Sequence, residues 1–189
     1  MKRFKEAAIT MLAVCLFAAC GNNEDIIWDV APINLNIYIT DSEGHDLLDS
    51  TFQDNLINDL TVNYQEKTYP VMTERQYYAK ETRYYMPHFS GLMLRQNWNT
   101  KRDFRLVFGE FPGDEDIDKL DITLNLPDGR QTILSFKNSF RWKSNGKPNK
   151  KTVFYLDGQE LKDDSGKQGS YHFQYSQVQA LKYIPNENK

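Results

Sequence analysis

The stretch Leu120–Phe136 permits one strand pairing and penalises its neighbours. Pro127-Asp128-Gly129 has the chemistry of a three-residue hairpin loop, a type I turn closed by glycine in the left-handed region. That loop sets Leu126 opposite Arg130, and so Leu124 opposite Thr132, Ile122 opposite Leu134 and Leu120 opposite Phe136. One face of the pair is then almost wholly apolar. The other carries Asp121, Thr123, Asn125, Gln131, Ile133 and Ser135. A slip of one residue would mix the two faces, so burial and turn chemistry select the same register.

Other segments speak the same language. Ile33, Leu35, Ile37 and Ile39 alternate with polar neighbours, the period of a half-buried strand, and Asp41-Ser-Glu-Gly44 ends it in a turn. Phe52 and Leu56, four residues apart, predict a short helix within Thr51–Asp59. Leu60–Gln65 and Thr68–Met72 read as a hairpin turning at Glu66-Lys67, with Pro70 placing the second arm at a sheet edge. Further strands are expected at Phe104–Glu110, Phe140–Lys143, Thr152–Leu156, Tyr171–Tyr175 and Val178–Ile184, with Asn145-Gly146 and Asp157-Gly158 as turns. Many short strands and little helical periodicity predict an all-β fold. The expected form is one two-sheet β-sandwich of Ig-like type, with about seven to ten strands over residues 32–189. A body of this size buries roughly 70% of the surface its unfolded chain exposes.

The front of the chain has another character. Lys2, Arg3 and Lys5 precede the uncharged run Ala7–Ala19, which is shorter than the roughly 20 residues a bilayer span needs but suits a signal-peptide core. Leu16-Phe-Ala-Ala-Cys20 resembles the lipobox of bacterial lipoproteins, with small residues before the cysteine. Leu12-Ala-Val-Cys15 fits less well, because branched Val14 would adjoin the cut. The expected organisation is a lipoprotein signal peptide over residues 1–19, a lipidated N-terminus and tether over 20–31, and the β domain after it. Several acyl chains, palmitate among them, would hold Cys20 on the membrane where one chain is marginal. Gly21-Asn-Asn-Glu-Asp25 loosely resembles the acidic stretch that sends some lipoproteins to the cell surface. With Cys15 removed and Cys20 acylated, the body would carry neither a disulfide nor a cysteine nucleophile.

Further along, Ile37–Asp49, Tyr64-Gln-Glu-Lys-Thr-Tyr69, Phe108-Gly-Glu-Phe111, Trp142 and Leu156-Asp-Gly158 resemble an uncharacterised Bacteroides-type lipoprotein family. The likeness spans most of residues 33–161 and rests on turn and core elements. It implies an outer-membrane address and a small all-β domain, and carries no functional residue with it.

The chemistry on offer is sparse. The whole chain has a net charge of −3 although its front is basic, which excludes affinity built on global attraction to nucleic acid or anionic membrane. His45, His88 and His172 lack metal-ligand spacing. Asp114-Glu-Asp116-Ile-Asp118 opens like a calcium loop, but Lys119 replaces the turn glycine and Asn125 the bidentate glutamate. No Gly-x-Ser-x-Gly elbow and no phosphate-binding glycine loop occur. Neither a catalytic residue, a metal site nor a cofactor is assigned, and the chain is read as a non-enzyme. The basic tract Arg141, Lys143, Lys147, Lys150 and Lys151 reads as a solvated hairpin loop able to orient an acidic partner. Aromatics gather between Tyr69 and Trp98. A ligand platform would draw on Tyr77, Tyr78, Tyr84, Tyr85 and Trp98 with Arg75 and Arg83, and with Lys80 and Arg95 nearby. Sheet packing alone would also account for those rings.

Two functional classes follow. One is a lipid-anchored, non-catalytic binding module for a glycan, a peptide or an envelope protein. The other is a structural, assembly or immunity-type envelope protein, with a small hydrolase behind both. Processing is directly testable: mass spectrometry of the membrane fraction is expected to find an acylated N-terminal Cys20, and Cys20→Ala to release the body or leave it unprocessed. An intact Met1 end in soluble wild-type protein would contradict this.

Overall fold

The computed structural model describes residues 29–79, 91–96, 103–162, 169–176 and 182–185. It is all-β apart from one short helix. The strands do not separate into the two stacked sheets of a sandwich; they form one mixed, eleven-stranded sheet that curls into a half-barrel. In chain order they are β1 (Ile33–Thr40), β2 (Thr61–Tyr64), β3 (Lys67–Thr73), β4 (Leu92–Gln96), β5 (Phe104–Phe111), β6 (Ile117–Asn125), β7 (Gln131–Trp142), β8 (Pro148–Leu156), β9 (Gln159–Glu160), β10 (Ser170–Gln174) and β11 (Lys182–Tyr183). Across the sheet the order is β11-β10-β1-β5-β4-β3-β2-β6-β7-β8-β9, with β1–β10 and β3–β4 parallel.

The β6–β7 hairpin has the register that burial demands. Leu120 faces Phe136, Ile122 faces Leu134 and Leu124 faces Thr132, while the Leu126 N–H donates to Arg130 O at 2.9 Å. Gly129 closes the loop at φ +84°, where a residue bearing Cβ would be strained. Asp128 pairs with Arg130, whose guanidinium also lies over the Tyr175 ring, so the loop is tied to the chain after β10. β1 alternates as expected, with Ile33, Leu35, Ile37 and Ile39 all buried.

Two irregularities bend the sheet. Between β1 and β5 the register shifts near Gly109, which sits at φ +85° with the Phe111 ring packed against it; a second shift lies between Ile117 and Leu120 on β6. Bulges of this kind increase local twist and turn a strand out of plane. The inner faces of the two halves therefore meet. Phe111 packs on Phe136 with ring centroids 5.0 Å apart, and Phe154 meets Tyr171 at 6.4 Å. Tyr171, fully buried, donates its hydroxyl to Ser135 O at 3.1 Å.

Three local expectations are corrected. The hairpin between β2 and β3 turns at Gln65-Glu66, both at positive φ, so Tyr64 pairs with Lys67 and Glu66-Lys67 is not the turn. Pro70 is not on an edge strand. It stands where β3 leaves β2, its Cα opposite Thr61, and joins β4 from Val71 onward, so its missing N–H falls at the handover. Thr51–Asp59 forms turns and no helix. Asp46 and Asp49 draw the backbone N–H groups of Leu48 and Thr51 onto their carboxylates, and Leu47, Leu48, Leu56 and Leu60 close over one end of the core. Asp46 also accepts the Phe104 N–H at 2.7 Å, and burial holds its carboxyl above the usual range. Of the described end of the expected last strand, Lys182 and Tyr183 pair with β10 and the Ile184 N–H donates to His172 O at 2.8 Å; residues 177–181 lie outside the described set.

Leu134 has no exposed surface and Ile122 is 1% exposed. Leu134→Ala is expected to cost about 2–5 kcal/mol of unfolding free energy, measured by denaturant titration, whereas Ile133→Ala, on the outer face, costs well under 1 kcal/mol. Equal losses at both positions would overturn the register.

Candidate functional site

The helix α1 (Glu74–Ala79) lies against the outer face of the sheet. Its start is a capping box: the Gln76 amide oxygen accepts from the Thr73 N–H at 2.9 Å, and the Gln76 N–H donates to Thr73 Oγ1 at 3.3 Å. The first Tyr-Tyr doublet is thus helical. Tyr77 turns inward and is 4% exposed over Met93 and Val107, forming a small second core. Tyr78 turns outward, 42% exposed, edge-on to Tyr77. Arg75 is exposed on the same helix. Tyr84, Tyr85, Trp98, Arg83, Lys80, His88 and Cys20 lie outside the described residues. Of the expected platform, the described fold leaves Tyr78 and Arg75 available on its surface; Tyr77 is occupied in packing.

Beside α1 the sheet register assembles a row that crosses four strands. Arg95 on β4 is the Cα partner of Arg105 on β5. Ile37 pairs with Leu106, which brings Tyr38 of β1 next to Arg105, and Tyr38 pairs with His172 of β10. Alternation puts all four on the face opposite the core, since Leu106, Ile37 and Tyr171 point inward. Tyr38 and His172 stack with centroids 4.5 Å apart and planes 1° from parallel. The Arg105 Nη1 donates to Tyr38 Oη at 3.4 Å, and Arg95 reaches Glu74 Oε1 of α1, also at 3.4 Å.

The electrostatics of this row are unbalanced. Like charges directly opposite on neighbouring strands repel, and here Arg95 alone of the two meets a carboxylate, Glu74 at the long end of hydrogen-bonding range, while Arg105 reaches the neutral Tyr38 hydroxyl. The Nε atoms of both arginines are buried and have no hydrogen-bond partner. A buried donor left unmade costs about 1–3 kcal/mol, more when it is charged. Arg130 and Arg141, by contrast, are held by Asp128 and Asp116. Paired half-buried guanidinium groups with free donors suit a planar oxyanion, because a carboxylate accepts two parallel N–H bonds from one arginine.

Concavities lie elsewhere among the described residues, two of them along one seam. One, of about 490 Å³, is lined by Pro32–Asn34, Lys150–Thr152 and Phe154; the other, of about 350 Å³, lies between Leu156, Gln159–Lys162, Tyr183 and Pro185. Both follow the seam where the two ends of the curled sheet approach each other. The Asp157 N–H bonds Ile133 and the Phe154 carbonyl accepts from Leu161, so even-numbered residues of β8 turn their backbone groups away from β7. Pro148 and the lysines at 150 and 151 stand along that edge, and Lys150 Nζ closes it against Ala31 O at 2.8 Å. Proline and lysine at an edge strand discourage further strand pairing, so the seam is guarded rather than receptive.

Sequence reasoning placed Arg95 near a platform but missed Arg105, Tyr38 and His172, because their adjacency depends on strand order. The readable signal was Thr73-Glu-Arg-Gln76, which marks a helix start and would have moved Tyr77 and Tyr78 off a strand. Among the described residues no group of three or more His, Cys, Asp or Glu side chains could hold a metal ion, and no helix is long and apolar enough to cross a membrane. Comparison with protein-family models, with curated proteins and with solved structures returned no match.

Proposed function

We propose that this chain is a lipid-anchored cell-envelope protein, held at the outer membrane through Cys20, that binds an acidic glycan without catalysis. The observation that carries the reading is the Arg95–Arg105 pair, two opposed cations with buried, unpartnered Nε donors on the outer face. A uronate carboxylate or a sugar sulfate would supply the missing acceptors. The Tyr38–His172 stack beside Arg105 offers aromatic surface for the sugar ring, and Tyr78 is exposed on the helix whose Glu74 meets Arg95. The lipobox-like run before Cys20 and the family resemblance support the address.

Binding energy and folding energy oppose each other at this pair, which makes the reading testable. Arg105→Gln removes a repelling charge and a buried unpaired donor, so the unliganded variant is expected to melt at the wild-type temperature or above it. At low salt, trigalacturonate and a chondroitin sulfate tetrasaccharide are expected to raise the wild-type melting temperature, and maltotriose to leave it unchanged. The same variant is expected to lose tenfold or more in affinity for the acidic sugars by calorimetry, the scale of a charge-assisted bond of about 1.5–3 kcal/mol. Destabilisation by Arg105→Gln, or wild-type protein that ignores both acidic sugars, would contradict the proposal.

A further inference from the structure

The β7–β8 hairpin extends past the core and ends in a tip of unusual composition. Trp142 is 57% exposed, the highest of the exposed large hydrophobic side chains among the described residues, and its ring meets the edge of Phe140. Beyond it the chain turns through Asn145-Gly146, with Gly146 at φ +74° and Lys143 N–H bonded to Lys147 O at 2.9 Å. Lys143 and Lys147 are exposed and paired with no carboxylate among the described residues. From Ser139 to Leu156 there is no acidic residue, in a chain whose net charge is −3. In the loop before β6, Asp116 holds Arg141 and the Asp114 charge acts on Lys150. The lysines at the turn itself are left uncompensated.

The position of this tip matters as much as its chemistry. Lys150, two residues into β8, donates to Ala31 O, so the chain enters the domain at the hairpin end of the sheet. Cys20 precedes Asp29 by nine residues, which span at most about 30 Å when fully extended. An anchor at Cys20 would therefore hold the tip within reach of the bilayer. Tryptophan favours the headgroup region, where its ring is half in hydrocarbon and its N–H stays hydrated, and lysines beside it are drawn to anionic lipid.

We infer that the tip formed by Trp142, Lys143 and Lys147 is a membrane-surface contact that inserts Trp142 among anionic headgroups and fixes the orientation of the domain. This rests on the reading of Cys20 as a lipid anchor. Together, acyl chains and a basic aromatic tip make a two-signal attachment, in which the tip sets the tilt that the chains alone leave free. The Arg95–Arg105 row lies on a different part of the sheet and takes no part.

The test uses the full-length protein extracted from membranes and reconstituted into vesicles of phosphatidylethanolamine and phosphatidylglycerol (3:1) with brominated acyl chains, beside vesicles of brominated phosphatidylcholine. Intrinsic fluorescence of the wild type is expected to be quenched in the anionic vesicles, with a component that disappears in Trp142→Phe. Lys143→Gln with Lys147→Gln is expected to reduce that component about twenty-five-fold at low salt, at roughly fivefold per lysine. It should also fall in 0.5 M salt and in phosphatidylcholine. Identical quenching in wild type and Trp142→Phe overturns the inference, as does a Trp142 component indifferent to lipid charge. The N-terminal mass of the same sample reports on Cys20 separately, so an unacylated protein whose tip still inserts refutes the anchor and not the contact.

Discussion

Tyr171 stands in β10 without solvent exposure, and its hydroxyl crosses the core to the carbonyl of Ser135 on β7, with Tyr155 O of β8 at 3.4 Å. It joins strands that lie seven places apart in the sheet order. Burial drives the phenol far above its ordinary pKa, so it stays a neutral donor at any pH the protein meets. The bulges near Gly109 and between Ile117 and Leu120 supply the bend, and this contact marks where the bend brings the two halves together. Around it the rings of Phe154, Phe136, Phe111 and Phe173 fill the space between the two inner faces. In a body without cysteine after Cys20, that packing is what holds the halves closed.

The curl decides which surfaces are left for function. All inward positions of β1, β5 and β10 are committed to the core, so their outward positions alone can meet a ligand. At the level of Leu106 those outward positions are Arg105, Tyr38 and His172, with Arg95 of β4 opposite Arg105. The seam between β8 and the start of β1 holds a hollow of about 490 Å³, yet its edge is lined with lysine and proline and bridged by Lys150. Concavity and chemical readiness thus point to different places, and unpartnered donors are the stronger indication of a ligand. The helix α1 serves both sides of this arrangement, covering Met93 and Val107 with Tyr77 while lending Glu74 to Arg95.

What could be read in advance follows from how local each signal is. The β6–β7 register was legible because a glycine turn and a two-residue period agree over seventeen positions. The turn at Gln65-Glu66 was misplaced by one residue because two non-glycine residues adopt positive φ there without asparagine or glycine to announce it. The all-β class was legible, whereas the sandwich was not the outcome. Curling depends on a parallel pairing of β1 with β10, residues more than a hundred positions apart, and on bulges that no local pattern declares. The row on the outer face was illegible for the same reason: each residue is visibly outward on its own strand, but only strand order makes Arg105 the neighbour of both Arg95 and Tyr38.

The central claim is that Arg95 and Arg105 hold unmet hydrogen-bonding capacity for an oxyanion, and their Nε–H groups can be observed individually. Arginine-selective nitrogen–proton spectra during titration with trigalacturonate are the direct measurement. The account predicts that the Arg95 and Arg105 Nε–H signals move together and saturate, while that of Arg130, which donates to Asp128, and that of Arg141, whose guanidinium is held through Nη1 by Asp116 on another part of the sheet, stay in place. Unmoved signals at Arg95 and Arg105, or equal movement at all four arginines, would contradict it.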